Sequence, residues 1–366
     1  MDEKRGLLLD ELFLTSLNDG VFPGAGFGFS QWKGREYERS LKHYGYSQLT
    51  PVKKKLKKTD CFDLASLTKP LATVPVLLSL FGKKSFQLTT TIEEIFSFCP
   101  PDKKKITIQN LMSHCSGLPA HREYYHTLLT FPERERKRAL LCQILEEKLN
   151  SYPGTKHCYS DLGFILLGFI IEKISGEGLD VLADKTIYTP LRLHKDLFFA
   201  GMNKINGEGY VCTEKCPWSQ KMLCGSVHDD NCRAIGGVAG HAGLFGTLQG
   251  VTLFCEQLLD QWQGRGQHPA YANTLLGKVL TRERGSTWTL GFDTPSKQGS
   301  SSGIFFSERS VGHLGFTGTS FWIDPEKECI AVLLTNRVHP SRENEMIRQF
   351  RPLFHDILMR GVTKKR

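Results

Sequence analysis

No long hydrophobic run exists in this chain of 366 residues. The most continuously apolar stretch, 162–171, is about ten residues long where a bilayer-spanning helix needs roughly twenty, so no transmembrane segment is expected. The N-terminus, Met1-Asp2-Glu3-Lys4-Arg5-Gly6-Leu7-Leu8-Leu9-Asp10-Glu11, interrupts its leucines at once with two acids and does not read as a signal peptide. The glycine-rich stretch Gly236 to Gly246 lacks the Gly-Lys-Ser/Thr ending of a phosphate loop and reads instead as tight backbone turns close to a ligand. The eleven cysteines are odd in number and scattered, so no disulfide framework is legible. Cys212-x3-Cys216, with Cys224 and Cys232 beyond, repeats no known finger spacing, and no metal site is expected. Thiols used as small buried apolar groups fit a reducing compartment. The expected location is therefore cytoplasmic, or periplasmic if a leader was removed. The net charge of +9 is concentrated in Lys53–Lys58 and Lys103–Lys105 without interleaved aromatics, which reads as solvated loops and not as a nucleic-acid surface.

What is present is an ordinary globular composition, 40% hydrophobic, in a chain long enough to bury a sizeable core. Leu7, Leu8, Leu12 and their neighbours predict an amphipathic helix over 3–19, ending at Gly20. Runs at 24–32 and 39–47, rich in Gly, Phe and Tyr, read as a β-hairpin about Lys33-Gly34-Arg35-Glu36. A helix starting at Ser66 should bend at Pro75. From 88 to 265 the pattern is mostly helical, with segments near 107–114, 135–149, 161–175 and 248–263. Residues 296–303 read as a flexible loop, 313–324 and 328–336 as a second hairpin turning at Asp324-Pro325-Glu326-Lys327, and 342–360 as a closing amphipathic helix carrying Phe350, Leu353, Phe354 and Leu358. Strands at both ends most simply share one sheet. The expectation is an α/β (α+β) fold, an antiparallel sheet built from both termini and flanked by helices, in a single 1–366 domain. Residues 1–80 plus 266–366 would form the α/β part and 81–265 an inserted, mostly helical part.

Ser66-Leu67-Thr68-Lys69 puts a hydroxyl and an amine three residues apart. In a helix they share a face one turn apart, where the amine can take the proton of a hydroxyl that is a poor nucleophile by itself. Such a pair also needs a second proton carrier, donors for an oxyanion and a strand edge to hold substrate. Tyr159-Ser160-Asp161, at a loop-to-helix junction, and His313-Leu314-Gly315, expected to open a strand, are candidates. His114, His121 and His126 read as structural and not as metal ligands.

Four motifs, Phe62-Asp63-Leu64-Ala65-Ser66-Leu67-Thr68-Lys69, Leu111-Met112-Ser113-His114-Cys115-Ser116-Gly117-Leu118-Pro119, Tyr159-Ser160-Asp161 and His313-Leu314-Gly315-Phe316-Thr317-Gly318, stand in this order. Together they resemble the class C β-lactamase and D,D-peptidase-like serine hydrolase family over about residues 20–340. The resemblance implies Ser66 as nucleophile, Lys69 as its base and Tyr159 as the proton carrier to the leaving group. It also implies an oxyanion site formed by the backbone N–H groups of Ser66 and Phe316, the latter on the strand after the third motif. Gly315 would let that strand approach substrate closely, and His228-Asp229-Asp230 and His241 resemble cleft-lining positions.

Two departures bear on substrate. Asp161 stands where an asparagine usually donates to an acyl-amide carbonyl, and an ionised aspartate cannot donate. It would instead pair with Lys69 and raise that lysine's pKa. Leu314 lacks the hydroxyl that helps bind a carboxylate, leaving Thr317 or Thr319 as substitutes and His313 as a partly charged neighbour. The expected activity is acyl-enzyme hydrolysis of a small amide or short peptide, of D-amino-acid or β-lactam type, with Asp161, His313, Gly315 and Phe316 binding substrate and no cofactor. A carboxylesterase, and a non-catalytic binding protein of the same fold, are the alternatives. The sequence fixes no oligomeric state.

Overall fold

The structure is a computed structural model that describes residues 2–81, 86–199 and 209–363. Its strands are β1 (Gly24–Trp32), β2 (Tyr37–Gln48), β3 (Lys54–Lys55), β4 (Phe62–Asp63), β5 (Leu197–Phe199), β6 (Leu244–Gly246), β7 (Val311–Leu314), β8 (Ser320–Asp324) and β9 (Cys329–Thr335). Six of them form a sheet in the order β3-β2-β1-β9-β8-β7. The hairpin predicted over 24–47 is β1–β2, registered from Gly24 opposite Gly45 to Trp32 opposite Tyr37. β1 also pairs antiparallel with β9, Ala25 opposite Thr335, which joins the two ends of the chain in one sheet as expected.

The run predicted as one strand over 313–324 is two, β7 and β8. Gly315 N–H bonds the Thr319 carbonyl at 2.7 Å and Gly318 takes φ +101°, so the chain reverses between them. His313-Leu314-Gly315 therefore closes a strand and does not open one. After β8, Asp324 Oδ1 accepts from the N–H groups of Glu326 and Lys327 at 2.9 and 3.0 Å and sets the turn into β9. A second sheet, β4-β6-β5, occupies part of the stretch expected to be mostly helical. Its three-residue members are too short to show a period of two.

One face of the large sheet packs against the first and last helices, Glu3–Asn18 and Ile347–Met359. Asp2 caps the first by accepting from Arg5 N–H at 2.9 Å. Its buried stripe is Leu9, Phe13 and Ser16, whereas Leu7 and Leu8 are exposed. Three consecutive leucines suit either of two helical stripes, and the one that includes Phe13 is buried. Phe13 meets Phe350 and Phe354 edge-on at 5.2 and 5.6 Å. Leu353 is half exposed, since it lies roughly a third of a turn from the stripe formed by Ile347, Phe350, Phe354 and Leu358. The other face packs on the helix Leu248–Trp262, closely enough that a Cβ at Gly28 would stand 2.5 Å from Thr252 Oγ1.

Three smaller expectations also change. Lys103 is buried with Nζ 2.9 Å from Asp102 Oδ2, so this lysine is not part of a solvated loop. Cys212 and Cys224 are disulfide-bonded across a short hairpin closed by Thr213 N–H to Leu223 O and Leu223 N–H to Glu214 O. Within residues 296–303, Ser302 is buried and the Ser301 carbonyl bonds His355 Nδ1 of the last helix at 2.7 Å, which anchors the second half of the loop. No helix among the described residues is long and apolar enough to cross a membrane.

Candidate active site

Ser66 lies in a 3₁₀ turn, Ala65–Leu67, directly after β4. Ala65 has φ +48°, a left-handed conformation that costs a non-glycine residue on the order of 1–3 kcal/mol unless its surroundings enforce it. They do. Asp63 Oδ1 accepts the Ala65 N–H at 2.8 Å while its Oδ2 accepts the His228 N–H at 2.7 Å. Thr68 Oγ1 donates to Ala65 O at 2.6 Å, Thr317 Oγ1 to Asp63 O at 2.8 Å and Thr319 Oγ1 to Leu64 O at 3.2 Å. The segment beyond is not one regular helix: a π-turn, Lys69–Thr73, precedes the α-helix Val74–Leu80. Pro75 has no N–H to offer Leu71, four residues back, and the Leu71 carbonyl accepts instead from Tyr188 Oη at 3.0 Å. The irregularity expected at Pro75 begins at Lys69.

Lys69 is fully buried, and its Nζ lies 3.0 Å from Ser66 Oγ, 2.6 Å from Tyr159 Oη and 2.8 Å from Asp161 Oδ1. The His241 carbonyl is a fourth oxygen at 3.5 Å. Three close acceptors match the three protons of an ammonium. Burial favours the neutral amine, but the charge of Asp161 and the oxygens of Tyr159 and Asp161 outweigh it, and the Lys69 pKa is raised. The carboxyl of Asp161 shows the complementary effect: burial opposes ionisation, yet Lys69, His121 and His241 hold its pKa below the usual carboxylate range. Both partners are thus ionised. Burial raises the Tyr159 phenol, with the positive Lys69 opposing. The pairing of Asp161 with Lys69 expected from the sequence is present, and it defeats the lowering of the lysine that burial alone would give.

The cavity over Ser66 has a volume of ≈ 520 Å³. Tyr159, Asp161, His313, Leu314, Gly315 and Phe316 line it with Ser66, so every substrate-contacting residue expected from the sequence borders one space. Three details differ from expectation. Phe316 lies in the turn beyond β7, its ring stacked on His228 at 5.4 Å. Gly315 is required for packing, because a Cβ there would stand 1.9 Å from Thr319 Oγ1 and 2.8 Å from Leu64 O. His313 carries no positive charge: burial first, and then Lys69, push its pKa down to about 3, against the help of the Leu314 carbonyl bonded to Nδ1 at 2.8 Å. Thr317 and Thr319 are buried and spend their hydroxyls on Asp63 and Leu64, so neither replaces the hydroxyl missing at Leu314. The backbone N–H of Phe316, in the turn beyond β7, has no backbone acceptor among the described residues.

Sequence reasoning missed several contributors. His121 Nδ1 stands 3.4 Å from Asp161 Oδ2 and is made more basic chiefly by that contact. Trp288 meets His114 edge-on at 4.9 Å and Tyr159 at 5.4 Å, and lines the cavity beside the tyrosine. Arg351, inside the last helix, donates from Nη2 to Gly315 O and Thr319 O, both at 2.9 Å, and so fixes the turn that carries Phe316. No local motif marks these three; only the fold brings them to the site.

The family model described as Beta-lactamase matches residues 10–353, and the chain belongs to that family; it is a serine hydrolase. It is 29% identical over 354 residues to the N-acetylmuramyl-L-alanine amidase of Bacillus subtilis (strain 168), covering 89% of this chain and 77% of that one. To the putative D-alanyl-D-alanine carboxypeptidase of Escherichia coli (strain K12) it is 28% identical over 301 residues, 76% and 69% of the two chains. In fold it is similar to the octameric penicillin-binding protein homologue from Pyrococcus abyssi, with a TM-score of 0.72 at 17% identity over 97% of this chain and 77% of that one. The hydrolase EstCE1, described as having promiscuous acyltransferase activity, superposes with a TM-score of 0.74 at 18% identity over 97% and 98%.

Proposed function

We propose that the protein hydrolyses small amides or short peptides, of the D-amino-acid or β-lactam type, through an acyl-enzyme on Ser66. The observation that carries this reading is the placement of Lys69 Nζ within hydrogen-bond reach of both Ser66 Oγ and Tyr159 Oη. The catalytic form holds Lys69 neutral. It takes the Ser66 proton as Oγ attacks the carbonyl, and the backbone N–H groups of Ser66 and Phe316 receive the oxyanion. Tyr159 Oη, 2.6 Å from the lysine, passes the proton to the leaving group. The relatives named amidase and carboxypeptidase support an amide or peptide substrate.

A second reading, a carboxylesterase, is favoured by the neutral His313 and by the engaged hydroxyls of Thr317 and Thr319. These leave the wall at β7 without the charge and hydroxyl that would greet a substrate carboxylate. Incubation with a fluorescent penicillin and, separately, with a fluorophosphonate separates the readings. Both reagents label Ser66 if the peptide or β-lactam reading is right, and the fluorophosphonate alone if the esterase reading is. Labelling by neither overturns both.

A further inference from the structure

Asp161 works against a neutral Lys69, and a second basic group stands at its other oxygen. Oδ1 of Asp161 lies 2.8 Å from Lys69 Nζ, and Oδ2 lies 3.4 Å from His121 Nδ1. One carboxylate is therefore shared by two bases, and a positive charge on either lessens the support it gives to a positive charge on the other. The His121 side chain is 48% exposed and borders the cavity over Ser66, so its ring exchanges protons with solvent while Lys69 is fully buried.

The contact is built by the backbone. Asp161 N–H donates to Ala120 O at 2.8 Å and Ser160 Oγ donates to Pro119 O at 2.6 Å, which lays the residues before His121 along the head of the core helix Asp161–Ser175. Just beyond His121, Asn231 Nδ2 donates to Arg122 O at 2.7 Å. His121 is thus held on both sides along the chain. Its contact with Asp161 makes it more basic, burial opposes, and the charges of Asp229 and Glu123 add to the rise. His241 also acts on Asp161, but its Nε2 is 2.9 Å from Asp229 Oδ1, so that ring has a carboxylate of its own. The remaining groups about Lys69 are uncharged: the hydroxyls of Ser66 and Tyr159, and the rings of His114 and His313, which burial keeps neutral.

We propose that His121 is a positioning residue for acylation: when protonated it draws on the charge of Asp161, so that Lys69 gives up its proton and serves as the base on Ser66. The proposal rests on the acyl-enzyme reading above. The competent state has His121 as an imidazolium, Asp161 as a carboxylate and Lys69 as a neutral amine, one proton fewer than the fully protonated site. It holds the same number of protons as the state with neutral His121 and a Lys69 ammonium, so its share does not change with pH between the two titrations. From it, Lys69 takes the Ser66 proton as Oγ bonds to the acyl carbon, and that proton passes through Tyr159 Oη to the leaving group as its bond to carbon breaks. His121 keeps its charge throughout.

The test follows kcat/KM of the full chain on p-nitrophenyl butyrate, a substrate with no titrating group, between about pH 5 and 10; this constant reports the free enzyme through acylation. Wild type is expected to rise, flatten for about one pH unit near neutrality and rise again, since neighbours of this kind couple by about one pK unit. His121→Gln is expected to lose about tenfold near pH 6, one pK unit being a factor of ten, and to match wild type above about pH 9, where the imidazole is neutral in any case. In an Asp161→Asn background the same replacement is expected to cost less. A loss of equal size at every pH, no loss near pH 6, or an undiminished loss without Asp161 overturns the assignment. Should His121→Gln fail to fold, the wild-type profile decides: the shoulder is expected, and a single unbroken limb overturns the role of His121. Wild-type turnover in Ser66→Ala overturns the acyl-enzyme reading as well, whereas the other adverse outcomes overturn the role of His121 alone.

Discussion

Three residues and their shared protons set the chemistry of this site. Asp161, 2.8 Å from Lys69, stabilises the ammonium and so suppresses the neutral amine that the proposed mechanism requires to deprotonate Ser66. Because the Lys69 pKa is raised, the competent fraction is small at neutral pH and grows as pH rises, and kcat/KM is expected to climb into the alkaline range. Asp161→Asn removes the anion, lowers the lysine pKa and moves that limb to lower pH; an unmoved profile on p-nitrophenyl butyrate would show that Lys69 is not the titrating base. Lys69→Met is expected to lower kcat by about 10³-fold with Ser66 still present, within the usual range for loss of a general base. The serine, lysine and tyrosine were legible because short motifs carry them, and the conflict posed by Asp161 was legible from charge alone. His121 was not, since its meeting with Asp161 depends on how the loop after Pro119 returns to the head of the core helix. The charge state of His313 was misjudged for a related reason: burial is a property of the fold, and it is burial that neutralises this imidazole.

At the scale of elements, the site consists of a strained turn held by its neighbours. Asp63 accepts two backbone N–H groups, and Thr317 and Thr319 reach across from the β7–β8 turn to the carbonyls of Asp63 and Leu64. Asp63→Ala leaves both N–H groups buried and unpaired, and urea unfolding is expected to show a loss of about 2–4 kcal/mol. Loss below about 0.5 kcal/mol would mean that water or relaxation replaces the carboxylate. Thr317→Val, nearly equal in volume, should cost about 1 kcal/mol, since it removes one donor. Alternation and turn residues made β1, β2 and β9 readable, and apolar periodicity with its capping residues made the helices near 161–175 and 248–263 readable. The strands β5 and β6 were hidden by their length. The break between β7 and β8 was hidden because Gly315 and Gly318 sit inside an otherwise alternating run, where the decisive contact is with Thr319.

At the scale of the molecule, strands from residues 24–55 and 311–335 share one sheet, with Ser66 directly after β4 and Phe316 just beyond β7. The two sides of the cleft thus come from distant parts of the sequence, and a ligand that bridges them should stabilise the whole fold. Phenylboronic acid, which forms a tetrahedral adduct with a nucleophilic serine, is expected to raise the unfolding free energy by about 2.7 kcal/mol at a hundredfold excess over its Kd, and to do nothing for Ser66→Ala. Equal stabilisation of both proteins would place the ligand elsewhere. The union of the chain ends was legible from the order of strand-like and helical patterns; the wall formed by Trp288 was not, because it is more than a hundred residues from the tyrosine beside it. The central claim is that Ser66 is a nucleophile activated by Lys69. Intact-mass and peptide-level mass spectrometry after fluorophosphonate treatment tests it most directly. The account predicts one adduct per chain, on Ser66, absent in Ser66→Ala and formed about 10³-fold more slowly in Lys69→Met; an adduct on any other residue, or one on Ser66 whose rate ignores Lys69, would contradict it.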